Sequence, residues 1–256
     1  TGVQTCALPI SSSQQTERLI IGAMTRFPPE AMEIIRSGIE QCVDWQDVAN
    51  AKLYLQRMEP ILELDRRIGD GGWRLTREVA RQLALAMTYE DTIRVADLKI
   101  RASRFQRVAE EVGLKSGQIL EIREYLHPRL QEIAETLPAP LGRTMLREGW
   151  LRRFVERMTE DGKVLETTSV RGFLQLYVIA GLKRWRRSNM RYAAEQDSIT
   201  QWLQLVQETA GRDYALGVEV AELRTLVKGY GDTHARGSQN FARLSELVPR
   251  LGGPDA

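Results

Sequence analysis

Apolar residues recur at steps of three and four along most of this chain. After Pro28 and Pro29, the residues Met32, Ile35, Ile39 and Val43 fall on one helical face. Val48, Ala51, Leu55, Met58 and Leu62 repeat the pattern. Asp44 is placed to cap that helix, Asp47 lies in its first turn, and Pro60 is expected to kink or end it. Gly69, Gly71 and Gly72 break the periodicity, and Thr76 is the expected cap of a helix carrying Val79, Leu83 and Met87. Asp91 then opens a charged helix through about Glu111, with Arg94, Lys99, Arg101, Arg104 and Arg107 along it. Gly113, Gly117, Pro128, Pro138 and Pro140 cut the middle of the chain into short elements, where residues 119–125 suggest one extended piece. Residues 173–182 (FLQLYVIAGL) are apolar nearly all round, which predicts a central buried helix over about 173–185. Three amphipathic segments follow, marked by Ile199, Trp202, Leu203 and Val206, by Leu216, Val220, Leu223 and Val227, and from about Thr233 by Phe241, Leu244 and Val248.

The expected fold is therefore all-α, an irregular multi-helix bundle around one apolar helix. Residues 28–250 read as a helical domain. Residues 16–27 read as a linker or the end of an upstream domain.

Composition narrows the chemistry. The 256 residues carry 36 Lys and Arg against 34 Asp and Glu, a net charge of +2 that excludes a histone-like electrostatic binder. Two Cys and two His leave too few ligands for a disulfide scaffold, a zinc ribbon, a self-contained iron–sulfur cluster or a His-rich metal site. No apolar run reaches the roughly 20 residues of a bilayer span, so a cytoplasmic protein without membrane contact is expected. The phosphate loop GxxxxGK[ST], the dinucleotide fingerprint GxGxxG, the nucleophile elbow GxSxG and CxxC are all absent from the sequence.

Two strings stand out. Residues 183–191 (KRWRRSNMR) form a basic patch in a stretch, 167–194, that holds no acid at all. Arg171, Lys183, Arg184, Arg186, Arg187 and Arg191 are its cations, with Trp185 among them. Such a patch could grip phosphates and stack a base, suit the C-terminal end of a helix, or dock an acidic partner. The near-neutral balance of the whole chain argues against nucleic acid. Residues 226–237 (LVKGYGDTHARG) place Lys228, Asp232, His234 and Arg236 beside Gly229, Tyr230 and Gly231. The glycines call for positive φ or close backbone approach, and Asp232 or Thr233 can cap the helix that follows. The turn reads either as an interhelical connection with solvated charges or as a set of N–H groups, a cation and an imidazole facing an anionic ligand or a partner's active site. Arg171 is expected to share a face with Lys228, Tyr230, Asp232, His234 and Arg236. Gly69-Asp70-Gly71 lacks the companions of a thiamine-diphosphate motif and reads as a turn. His127, before Pro128, reads as structural.

Several strings taken in order resemble a known family. They are residues 75–80 (LTREVA), 89–104 (YEDTIRVADLKIRASR), 137–143 (LPAPLGR), 167–173 (TTSVRGF), 191–196 (RYAAEQ) and 228–237 (KGYGDTHARG). Together they resemble the C-terminal helical domain of indolepyruvate oxidoreductase subunit beta family proteins, over roughly residues 27–251. The resemblance implies membership of the 2-oxoacid:ferredoxin oxidoreductases, which oxidatively decarboxylate aryl-pyruvates, pass the acyl group to coenzyme A (CoA) and reduce ferredoxin. It places thiamine diphosphate, Mg2+ and iron–sulfur clusters in the partner alpha subunit and no cofactor in this chain. The gamma-like N-terminal domain of the family is missing here, so the chain is expected to be a C-terminal fragment without activity of its own, serving assembly or active-site cover. No catalytic residue carries over. Residues 1–10 (TGVQTCALPI) resemble a translated sequencing adapter, and residues 1–15 are expected to lie outside the fold. Two further readings are a helical module that binds a phosphorylated ligand such as CoA through Lys228 and Arg236, and a nucleic-acid binder working through residues 183–191.

Overall fold

A computed structural model describes residues 14–126, 129–159, 163–229 and 231–251. The chain is all-α apart from one small ribbon, and it divides into two compact units, residues 1–89 with 195–256 and residues 90–194. The first unit opens with α1 (Gln14–Met24), α2 (Pro29–Trp45), α3 (Val48–Ile68) and α4 (Arg74–Met87). The second holds α5 (Thr92–Ile100), α6 (Ala102–Glu111), β1 (Arg123–Leu126), α7 (Leu130–Thr136), α8 (Ala139–Leu146), α9 (Trp150–Thr159), β2 (Lys163–Glu166) and α10 (Val170–Gly181). A 3-10 segment, Leu182–Ser188, follows α10. Helix α11 (Met190–Arg212) belongs to the first unit from Glu195 onward, and α12 (Tyr214–Glu222) and α13 (Asp232–Leu247) complete that unit.

The first unit's core is largely the one the periodicity marks, although Leu244 of α13 is exposed. Ile35 and Ile39 of α2, Ala51, Leu55 and Met58 of α3, Val79, Leu83 and Met87 of α4, and Ile199, Trp202 and Val206 of α11 are all buried. Buried polar groups find partners as the apolar faces close. The Tyr54 hydroxyl donates to the Ala80 carbonyl at 3.1 Å, and the Trp45 indole donates to the Tyr89 carbonyl at 2.9 Å. Gly38 exists where it does because a Cβ there would lie 2.6 Å from the Tyr54 ring. Asp65 fastens three helices. Its Oδ2 accepts from the Thr76 amide at 2.8 Å and the Thr76 hydroxyl at 2.7 Å, while its Oδ1 accepts from the Tyr214 hydroxyl at 2.9 Å. Burial, first among several causes, raises the Tyr214 pKa.

Several boundaries differ from the sequence pattern. Residues 16–27, expected to be a linker or the end of an upstream domain, hold most of α1, which buries Ala23, and Phe27 after it joins the same core. The cap of α3 is Asp47, which accepts from the Asn50 amide at 2.9 Å, whereas Asp44 lies inside α2. Helix α3 continues through Pro60, since buried Ile61, Leu62 and Leu64 beyond it hold the chain in the helical path. Thr76 sits inside the first turn of α4, occupied with Asp65, and the N-cap position falls to Trp73 in a left-handed conformation (φ 53°). The charged stretch after Asp91 is two helices, because Arg101 leaves the helical region (ψ 134°). Of the extended piece expected at 119–125, only residues 123–125 lie in a strand, β1, which pairs antiparallel with β2 with Arg123 opposite Glu166.

The apolar helix is the largest departure. Helix α10 buries only Gly172 and Leu176; it packs on α5, and Gly172 lies close against the Glu166 carbonyl. Val170, Leu174, Tyr177 and Val178 are exposed, as is much of Phe173. The expectation of a central buried helix is therefore not met. A uniformly apolar segment has no polar face to show which side meets solvent, and among the described residues only one side of α10 is buried.

Candidate functional site

The segment singled out at residues 226–237 is the turn that turns the chain from α12 into α13. After α12 a short 3-10 segment (Leu223–Leu226) carries the backbone to Gly229 (φ 81°) and Gly231 (φ 57°), conformations that L side chains rarely adopt. Tyr230 lies outside the described residues. Gly231 is the N-cap of α13, and Asp232 is its first residue, so neither Asp232 nor Thr233 is the cap. The positive φ that glycine allows brings the helix in without a capping side chain, and Asp232 suits the positive end of the helix dipole. Gly237, one turn on, faces the Leu226 carbonyl so closely that a Cβ would lie 2.1 Å from its oxygen. Lys228, Asp232 and Arg236 are exposed.

His234 behaves differently. It is partly buried, with Nε2 3.3 Å from Glu195 Oε1 on α11. Glu195 is buried and shares its other oxygen with Arg224, whose Nη2 lies 3.5 Å from Oε2. Arg224 is itself buried, donates from Nη1 to the Ser198 hydroxyl at 2.8 Å, and lies over the Phe241 ring at 5.3 Å. Burial pushes the Arg224 pKa down, and the Glu195 carboxylate opposes that shift. One carboxylate thus meets a guanidinium and an imidazole, and it ties α11, the 3-10 segment and α13 together. The sequence reading missed Arg224, Glu195 and Ser198 as site residues. Glu195 did carry a signal: it is the first acid after the acid-free stretch. Arg224, inside an apolar seam, carried a weaker one.

A cavity of about 410 Å3 lies beside this cluster in the first unit. Ser198, Gln201, Ser238 and Ser245 give it polar walls, Trp202 and Phe241 apolar ones. Its charged lining group is Glu246; neither Lys228 nor Arg236 lines it. Among the described residues no three His, Cys, Asp or Glu side chains gather where a metal ion could be held.

The basic patch of residues 183–191 lies in the second unit and is not one continuous face. Arg186 is fully buried. Its Nε donates to Asp91 Oδ2 at 2.7 Å and its Nη2 to Asp91 Oδ1 at 3.0 Å. Asp91 also caps α5 by accepting from the Arg94 amide at 2.6 Å. Arg186 therefore does not belong to a docking surface. The tight 3-10 winding turns it inward while its neighbours stay out. Arg184 is exposed and stacks on the half-exposed Trp185 ring at 4.3 Å. Arg187 is exposed, and Lys183 and Arg191 are partly buried. Arg171 is exposed at the start of α10 in this same unit, whereas Lys228, Asp232, His234 and Arg236 belong to the first unit. His127 lies outside the described residues. Gly69-Asp70-Gly71 is a turn, closed by the Gly72 amide donating to Asp70 Oδ1 at 2.9 Å.

The structure thus defines a helical protein of two units, each organised by a buried arginine–carboxylate contact. Residues 31–246 match the family of unknown function DUF6537, and the chain belongs to that family. No curated protein and no solved structure matches it. Among the described residues no helix is long and apolar enough to cross a membrane.

Proposed function

We propose that the chain is the helical domain of a beta subunit in an indolepyruvate (2-oxoacid):ferredoxin oxidoreductase, and that it serves assembly or active-site cover rather than chemistry. One observation supports the non-catalytic half of this reading. The imidazole of the family-like segment faces inward onto Glu195, which is already engaged by Arg224, so His234 acts as a fastening between helices. A catalytic imidazole needs a nitrogen directed at substrate, and His234 does not line the cavity beside its cluster. The resemblance of the sequence strings supports the other half.

In that enzyme the alpha subunit supplies thiamine diphosphate, Mg2+ and the iron–sulfur clusters, and the gamma-like domain, ferredoxin and CoA are further partners. The reading as a module for a phosphorylated ligand gains nothing from the cavity lined by Ser198 and Phe241, whose charged wall is the Glu246 carboxylate. Phosphates would be repelled there.

The test co-expresses the chain, joined to a gamma-like domain, with the alpha subunit of an aryl-pyruvate oxidoreductase. Co-purification and indolepyruvate- and CoA-dependent reduction of a viologen dye are expected, with both lost when residues 28–250 are deleted. Unchanged assembly and turnover after the deletion would overturn the reading.

A further inference from the structure

The outward face of α10 is used by nothing described above. Val170, Phe173, Leu174, Tyr177 and Val178 are spaced by three, one, three and one, which sets them on a single helical face. That face is open to solvent, with Val170 86%, Leu174 57%, Tyr177 59% and Val178 61% exposed. The Phe173 and Tyr177 rings stack with centroids 6.4 Å apart, so the middle of the stripe is a preformed platform. A contiguous apolar stripe held in water marks an interaction surface.

Charge selects the occupant. The acid-free stretch 167–194 places Arg171 at one end of the stripe, and Arg184 stacked on Trp185 follows its other end. Residues 172–182 between them carry no charge. A second copy docked across a two-fold axis would set cations among cations. A helix lying in an anionic bilayer carries its cations along the length of its polar face, and here the exposed edge residue between the two ends is Gln175.

We propose that α10 and the basic turn after it form a docking surface for a helix of a different protein, apolar along one stripe and acidic at both of its ends. This deepens the assembly role proposed above and rests on it, by naming the surface and the chemistry of the partner.

Two synthetic helical peptides probe it, identical in a leucine stripe and carrying Glu or Lys at both ends. The full chain should bind the Glu peptide, more weakly as salt rises, and should not bind the Lys peptide. Leu174→Glu with Tyr177→Glu, both at exposed positions, should lower that binding at least tenfold while leaving the helical circular-dichroism spectrum unchanged. Arg171→Glu with Arg184→Glu should reverse the preference between the peptides. Equal binding of both peptides, or of neither, would overturn the proposal. So would a dimer in light scattering that the Leu174/Tyr177 variant dissolves, or sedimentation with phosphatidylglycerol vesicles that the same variant abolishes. The alpha subunit separates the two failures. If it co-purifies equally with wild type and with the Leu174/Tyr177 variant, α10 is not the docking face and the assembly role stands. If it never co-purifies while the Glu peptide binds, the docking face stands and the role in that enzyme falls.

Discussion

Arg186 and Asp91 meet edge to edge with both side chains buried, Nε on Oδ2 at 2.7 Å and Nη2 on Oδ1 at 3.0 Å. The contact joins the 3-10 turn after α10 to the N-cap of α5. Removing one partner strands the other charge away from water. Arg186→Ala should therefore cost about 3–5 kcal/mol of stability. Arg184→Ala, two residues away but exposed, should cost less than about 1 kcal/mol. Urea denaturation of the two variants side by side checks the contrast, and equal losses would show that the buried pair does not hold this unit.

The Glu195 carboxylate ranks above the histidine it meets. Glu195→Ala leaves Arg224 buried without its counter-charge and should cost about 3–5 kcal/mol. His234→Ala removes a partly exposed contact and should cost less than about 1 kcal/mol. Thermal melts of both variants decide the order. A His234→Ala chain that melts like wild type but loses dye reduction in the assembled enzyme would make His234 a functional group rather than a fastening.

Cys42 predicts the behaviour at high pH. Burial pushes its thiol from the ordinary value of 9.0 up to about 12, with Arg57 opposing. Above pH 9 the unfolded chain releases this proton and the folded chain keeps it. Stability then falls as pH rises from 9 toward 12, by up to about 1.4 kcal/mol per pH unit. Urea midpoints at pH 8, 9.5 and 10.5 should show the decline, and Cys42→Ala should reduce its slope. In a chain with Cys6 replaced by Ser, a thiol reagent at pH 8 should react only after denaturant is added. Prompt reaction without denaturant would contradict the burial of Cys42.

The candidate site was legible in part. Gly229 and Gly231 announced a tight entry into α13, and both take positive φ. His234 was singled out for its neighbours in sequence, but the groups it works with are Glu195 and Arg224, brought in from α11 and the 3-10 segment after α12. A buried ion contact needs two elements to close on each other, and spacing along one segment holds no record of the second. Arg186 looked like one cation among five in the same way, since only the winding of the turn singles it out.

The sequence by itself determined the all-α class and the core of the first unit. Ile35, Leu55, Val79, Leu83, Trp202 and Val206 are buried where their three-and-four spacing put them, because each such helix has one apolar face and one polar face, and water sorts the two. Tertiary structure alone decided what the spacing could not rank. It carried α3 through Pro60, moved caps by a few residues, joined residues 16–27 to the core, and left the apolar α10 half uncovered. A helix that is apolar on every side accepts burial on any of them. Which side is covered depends on how many neighbours arrive, and that is a property of packing rather than of the segment.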